Sequence, residues 1–389
     1  MLPRAKSILT PLQRIYLDYA ATTPVDERVL MSMSEFMLEK FGNPSSLHSY
    51  GREARGGIDA ARRSIARMLN CRVEEVHFTS GGTEADNLAL IGYAKANHHR
   101  GEHIVISGVE HSAVRSAAEA LSAQGFRIGI AEPDAFGMIA PEAVECALES
   151  ETILVSVMHA NNEVGTINPL GAIGAILKPR GIAFHTDAVQ SFGKIPVDVQ
   201  ALGVDMLSLS GHKIYGPKGI GAIYIRDGIQ IEPRQLGGHQ ESGIRPGTEN
   251  LSGIVGLGVA ASLAESAMAE ESNRMKSLRD ELHARILDHI EDAGLNGHSD
   301  ARLPGHLNLS FHGIDGEALL VALDLEGVAA SSGSACASGS QEPSSTLLAM
   351  GVPRELAQAS LRLTLGRSTT AEDVGYAARI IVDNVTRLR

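Results

Sequence analysis

A lysine, an aspartate and a set of hydroxyl and imidazole donors are the residues whose types and spacing could do chemistry together in this chain. Lys213 stands in Ser210-Gly-His-Lys-Ile-Tyr-Gly-Pro-Lys-Gly219, directly after the apolar run Val204-Asp-Met-Leu-Ser-Leu209. That run reads as a buried strand, and Gly216, Pro217, Gly219 and Gly221 break regular structure beyond it. An isolated lysine is most often a solvated loop residue, since lysines are almost never fully buried unless paired. Here Ser210 and His212 flank it with donors suited to a phosphate, and His185-Thr-Asp-Ala-Val-Gln190 lies one short connection upstream at another strand end. A lysine for a Schiff base, Asp187 for a protonated ring nitrogen and phosphate donors between them are the parts of a pyridoxal phosphate (PLP) site.

Other polar clusters also follow apolar runs directly. Val76-His-Phe-Thr-Ser80 reads as a strand that stops at Gly81-Gly82, where Thr83 opens a helix. Free N–H groups and the helix dipole make such a start a phosphate cradle, although a plain turn with a threonine cap has the same composition. Glu110-His111 and Asn161-Asn-Glu163 sit at comparable positions; taken singly, His111 reads as a helix-start residue and Asn162 as a turn residue. Asp187 is harder to explain away, because a carboxylate in an apolar strand end needs a partner. Of the three cysteines, Cys71 and Cys146 lie in or beside amphipathic elements and read as buried, inert thiols. Cys336 differs: Ser331-Ser-Gly-Ser-Ala-Cys-Ala-Ser-Gly-Ser340 is too rich in small residues to pack a core and reads as an exposed, mobile loop. A cysteine placed outside the core in this way suits chemistry better than packing.

The elements that must position these groups alternate. Strands are expected at His103–Ser107, Arg127–Ala131, Thr152–Met158, Ala183–Ala188 and Val204–Leu209, with helices from Val25 to Lys40, Tyr50 to Leu69, Thr83 to Asn97, and after His111, Pro141 and Leu170. Such alternation predicts α/β architecture with a mostly parallel sheet and ligands at the carboxyl ends of its strands. A long helical stretch from Leu251 to Ala293, expected to be interrupted, connects to a different rhythm. There His306–Phe311 and Leu361–Leu365 read as strands and Gly316–Leu325, Ser344–Met350 and a stretch from Ala371 as helices, a small α+β domain. With 389 residues, 43% of them hydrophobic, the chain can fill a large domain and a smaller one. A net charge of −12 with scattered basic residues argues against nucleic acid or an anionic membrane as partner, and the apolar stretch Gly253–Ala264 is short of the ~20 residues of a membrane span. The start has no signal-peptide core, and three cysteines without a Cys-x-x-Cys motif suit a reducing compartment, so a cytoplasmic protein without a structural zinc site is expected.

His-Thr-Asp-Ala-Val-Gln followed by Ser-Gly-His-Lys-Ile-Tyr-Gly-Pro-Lys-Gly closely resembles the PLP-dependent cysteine desulfurases of the class V aminotransferase family, and Thr79-Ser-Gly-Gly-Thr-Glu-Ala-Asp-Asn87 and the Cys336 loop extend the likeness. The loop is similar to the longer form of group I enzymes, although Gln341-Glu-Pro-Ser-Ser345 stands where many relatives have Leu-Glu-Pro-Ser-His. The resemblance implies a fold-type-I large domain over 16–255 with a mostly parallel seven-stranded sheet. It also implies a small domain over 256–389 that carries the cysteine loop 331–345, with the arm 1–15 packed on it. By the same likeness Gly82 and Thr83 hold the cofactor phosphate with Ser210 and His212, His111 stacks on the ring and moves protons, Asn162 touches cofactor and substrate, Gln190 bonds the phenolic oxygen, and Arg362 binds the substrate carboxylate. Thr248, in the glycine-rich stretch Gly237–Asn250, would reach the phosphate in the other subunit of a homodimer. The implied reaction takes L-cysteine to L-alanine, with Lys213 as base and Cys336 as persulfide carrier delivering sulfur to iron–sulfur scaffolds or other acceptors. No resident metal is implied, though Cys336 could transiently ligate an iron–sulfur cluster. A selenocysteine lyase or aminotransferase of the same fold, or a non-catalytic binding subunit, are the alternatives.

Overall fold

Seven strands form the sheet at the centre of the molecule, six of them buried along their whole length, as a sheet covered by helices demands, while one edge strand, Arg127–Ala131, is largely uncovered. The computed structural model describes residues 14–332 and 342–389. Cys336 and the arm up to residue 13 lie outside the described residues. In chain order the strands are β1 (Ile15–Tyr16), β2 (Val76–Thr79), β3 (His103–Ser107), β4 (Arg127–Ala131), β5 (Thr152–Ser156), β6 (Ala183–Asp187), β7 (Met206–Ser210), β8 (Gly221–Ile225), β9 (Gly294–Leu295), β10 (His306–Ser310), β11 (Val328–Ala329) and β12 (Ser360–Thr364). The large sheet runs β2-β8-β7-β6-β5-β3-β4, parallel except that β8 is antiparallel to both its neighbours. The small sheet β12-β10-β9 is antiparallel, and β1 pairs with β11 in parallel.

The helices are α1 (Glu27–Leu38), α2 (Ser49–Leu69), α3 (Gly82–Asn87), α4 (Tyr93–Asn97), α5 (Ser112–Ser122), α6 (Pro141–Ala147), α7 (Leu170–Leu177), α8 (Val199–Leu202), α9 (Leu251–Leu287), α10 (Gly316–Leu325), α11 (Ser345–Ala349), α12 (Arg354–Gln358) and α13 (Ala371–Leu388). α3 continues into α4 through a π turn, Leu88–Gly92. In α2 the buried residues Ala54, Ile58, Ala61, Ile65 and Leu69 fall at spacings of four, three, four and four, the stripe of a helix packed on one side. The helix ends where Asn70 turns left-handed at φ 53°.

Two expectations are corrected. The stretch after Leu251 is one unbroken helix of 37 residues, ending at Leu287. Its glycines allow close helix approach and break nothing: a Cβ on Gly258 would lie 2.4 Å from Ala61 Cα. α9 has the length and composition of a membrane span, yet Ile254, Leu257, Ala260 and Ala261 are buried in the core around the large sheet. Its far end, through Leu278, Leu282 and Ile286, enters the second core with Ile15, Leu17, Leu309 and Leu363. Cys146 is exposed, not buried, because α6 turns Val144 inward and a residue two positions on faces away, while Cys71 is half-buried. Burial pushes the Cys71 thiol up to about 12, leaving it inert as expected.

Candidate active site

The carboxyl ends of β3, β5, β6 and β7 open onto a cleft of about 620 Å³ lined by Gly82, Thr83, His111, Asn162, Asp187, Gln190, Ser210, His212, Lys213 and Arg362. This is the position that ligands take in open α/β sheets. Lys213 is the last residue of the single 3₁₀ turn Gly211–Lys213 that follows β7. Its Nζ donates to the carbonyls of Ala20 at 2.5 Å and Ala21 at 2.7 Å, so the segment after β1 holds the lysine from the other side. Tyr215, two residues on, is held left-handed at φ 64°, a conformation costing roughly 1–2 kcal/mol. Its N–H donates to Thr23 Oγ1 at 2.8 Å, and the Arg367 guanidinium lies 4.1 Å from its ring centroid.

Donors suited to a phosphate cluster at one end. Gly82 opens α3, whose first N–H groups have no partner within the helix. A Cβ on Gly82 would come 2.6 Å from Val189 Cγ2, so only glycine lets the backbone pass here beside Ser210. His212 shares a hydrogen bond with Thr22 Oγ1 at 3.1 Å through Nδ1. Burial, and then Lys213, push this imidazole down to about 4, so near neutral pH it is uncharged and can still offer one N–H.

The floor is acidic. Asp187 is buried, and its Oδ1 accepts from the Val189 N–H at 2.8 Å. Burial holds its carboxyl above the ordinary range, while His111 and Lys213 pull it back. Beside it lie two carboxylates without a role in the sequence reading. Asp86 is raised well above its usual value by burial and by Asp187, and Glu110 is pushed up to about 8, again chiefly by burial. Glu110 Oε1 accepts from Ser107 Oγ at 2.6 Å and the Met158 N–H at 2.7 Å. Three buried acids this close cannot all ionise, and Asp187 is the one whose charge the neighbouring cations favour. Asp86, His111 and Asp187 each bring one ligand-type atom within 4.8 Å of the others. His111 caps α5, accepting the Ala113 N–H at Nδ1 at 3.2 Å, which leaves a neutral ring's proton on Nε2.

Opposite the floor stands Arg362, only 2% exposed, donating from Nη2 to Asp18 Oδ1 at 2.7 Å and from Nη1 to the Asn162 carbonyl at 3.1 Å. Both approaches to the Cys336 segment reach this wall. Ser331 pairs with Arg362, and Glu342, Pro343 and Ser345 line the cleft. Glu163 fixes the second approach, Oε2 accepting from Ser344 Oγ at 2.5 Å and Oε1 from Thr346 Oγ1 at 3.2 Å; Arg115 donates to Ser345 Oγ.

Ten of the expected positions therefore share one cleft. Thr248 does not join them within its own chain: it lines a separate pocket of about 220 Å³ with Thr79, Ser80 and Gly219. Asp86 was legible in principle, because Ala89, Leu90 and Tyr93 follow it at i+3, i+4 and i+7 and place it on an apolar face. Nothing in the sequence marks the carbonyls of Ala20 and Ala21.

The residues present fit PLP. A buried carboxylate that accepts from the Val189 N–H calls for a cation such as a pyridinium beside it, and glycine-lined donors at a helix start suit a phosphate. A family model for aminotransferase class-V matches residues 15–376. Cysteine desulfurase IscS of Dictyoglomus turgidum is 48% identical over 97% of this chain and 96% of that protein. Cysteine desulfurase IscS of Methanosarcina thermophila is 46% identical over 99% of the chain and 95% of its own length. Among solved structures, a NifS-like protein superposes with a TM-score of 0.91 at 37% identity, covering 97% of this chain and all of the other.

Proposed function

The chain belongs to the class-V aminotransferase family and is a PLP-dependent cysteine desulfurase, and from that premise we propose how its own residues divide the work. The observation that carries the assignment is the convergence of Lys213, Asp187, His111 and Arg362 on one cleft, with both approaches to the Cys336 segment at its rim.

Lys213 would hold PLP covalently, Asp187 its ring nitrogen, Gln190 its phenolic oxygen, His111 its ring face, and Gly82, Thr83, Ser210 and His212 its phosphate. Bound there, PLP supplies an electron sink for the α-carbon of an amino acid. Arg362 binds the carboxylate of L-cysteine with Asn162 beside it, which fixes the orientation of the Cα–H bond. Lys213 Nζ takes the α-proton, and His111 Nε2 handles a proton at the substrate sulfur. Cys336 Sγ, as thiolate, attacks the substrate Sγ. A new S–S bond forms while the substrate's Cβ–S bond breaks, its electrons staying with the carbon fragment that leaves as L-alanine. The persulfide on Cys336 then passes to an acceptor such as an iron–sulfur scaffold.

The same reading takes the chain as a cytoplasmic homodimer in which Thr248 completes the partner subunit's phosphate site. A large cofactor-binding domain and a small domain bearing the cysteine segment are joined by α9. The test is alanine and sulfide production from L-cysteine with a thiol reductant, comparing the natural chain with Cys336→Ala while following the visible cofactor band. Activity lost with the band retained supports the assignment; full turnover by the variant removes Cys336 from it.

A further inference from the structure

Gln190 has a second, half-buried partner that the reaction does not use. Its Nε2 donates to the Ala20 carbonyl at 2.9 Å, the carbonyl that also accepts from Lys213, and its Oε1 accepts from Lys194 Nζ at 3.0 Å. Gln190 lines the cleft, whereas Lys194 lies behind it against a narrow cavity of about 50 Å³ whose wall Lys213 shares. The two ends of a carboxamide have nearly the same shape, so hydrogen-bond partners decide which way it faces. Both partners here agree: an acceptor meets the nitrogen and an ammonium meets the oxygen. That leaves Nε2 one further proton to donate.

We propose that Lys194 is a positioning residue, which through Oε1 locks the Gln190 carboxamide in the orientation that presents Nε2 as a donor to the phenolic oxygen of the cofactor. The inference rests on the reading that Gln190 meets that oxygen. Without Lys194 the carboxamide could turn and set a lone pair against an oxygen that carries negative charge. Sequence spacing supports a shared purpose, since Lys194 follows Gln190 by four residues in the turns after β6. Burial, and then repulsion from Lys213 and Arg362, push the ammonium down to about 7; charged or neutral, it can still donate an N–H to Oε1. The other titratable groups around it are Tyr19, Tyr215, Glu271 on α9, His306 on β10 and Arg367 beyond β12.

The experiment is a pH titration of the visible cofactor band of the holoenzyme, with thermal melts to verify folding. Losing a donor to the phenolate and losing a nearby positive charge both make the cofactor linkage more basic. Lys194→Met should therefore move the midpoint up by on the order of one pH unit. Gln190→Ala should move it the same way, the pair should shift it by less than the sum, and Lys194→Arg, which keeps a donor, should restore it. Lys194→Ala replaces the methionine variant if that does not fold. A folded Lys194 variant with an unmoved midpoint, or fully additive shifts, overturns the proposal while Gln190 keeps its place. An unmoved midpoint in Gln190→Ala overturns the cofactor contact and this inference with it.

Discussion

Ser331 and Arg362 exchange both backbone hydrogen bonds, at 2.7 Å from the Arg362 N–H and 3.3 Å from the Ser331 N–H. The chain leading to Cys336 is thus zipped to the strand that carries Arg362, the guanidinium proposed to bind the substrate carboxylate. Cys336 stands five residues beyond Ser331, and five residues reach at most about 18 Å. On the proposed mechanism, that length limits how far the thiol can start from the substrate anchor.

Arg362→Lys should keep the cofactor band and raise KM for L-cysteine by on the order of 10–100-fold, because a lysine cannot reproduce a two-pronged contact while also pairing with Asp18. Steady-state kinetics with the band monitored would check this. Equal KM in the variant would move the carboxylate site elsewhere.

Asp187→Asn removes the charge that the cleft floor offers to a pyridinium. Turnover should fall by roughly 10²-fold or more, the scale of losing one preorganised electrostatic group. KM should change far less, as Asp187 is assigned no contact with the substrate carboxylate.

Glu163, in the loop after β5, holds the second approach of the cysteine segment through Ser344 and Thr346. Glu163→Ala leaves two buried hydroxyls short of an acceptor, which costs roughly 1–3 kcal/mol. Denaturant unfolding should show that loss, and single-turnover persulfide formation should slow while the band is unchanged.

Asp26 caps α1 and also accepts from Arg367, just beyond β12, at 2.9 Å. The Arg28 guanidinium, hydrogen-bonded to it, is the largest cause holding its carboxyl at about 2 instead of 3.8. A carboxyl depressed in the fold stabilises above its unfolded value and loses that effect as it protonates. Asp26→Ala should therefore cost about 0.5–2 kcal/mol near neutral pH, and the gap to the natural chain should close as pH falls from about 4 towards 2. Melting both proteins across that range reads it directly.

The large sheet and most of the cleft were legible because each reactive cluster follows an apolar run, and in a parallel sheet such runs end at the same edge. β9 and α12 were missed because two strand residues or five helical ones carry no periodicity. Lys194 was also missed: after Phe192-Gly193 it reads as a surface lysine, and only α9 and the segments of His306 and Arg367, which wall its cavity, leave it half-buried. The continuity of α9 was misjudged for a similar reason, since Gly256 and Gly258 look like breaks until Met33 and Ala61 are seen pressed against them. Cys146 needed only the direction of Val144 to be placed outside.

The central claim is that Cys336 is the residue that takes the sulfur, and peptide mass spectrometry after one turnover with L-cysteine and no reductant tests it most directly. The account predicts one added sulfur atom on the peptide containing Cys336, none on those containing Cys71 or Cys146, and one alanine released per modified site. Alanine formed with the added sulfur on Cys146, or on no cysteine at all, would contradict it.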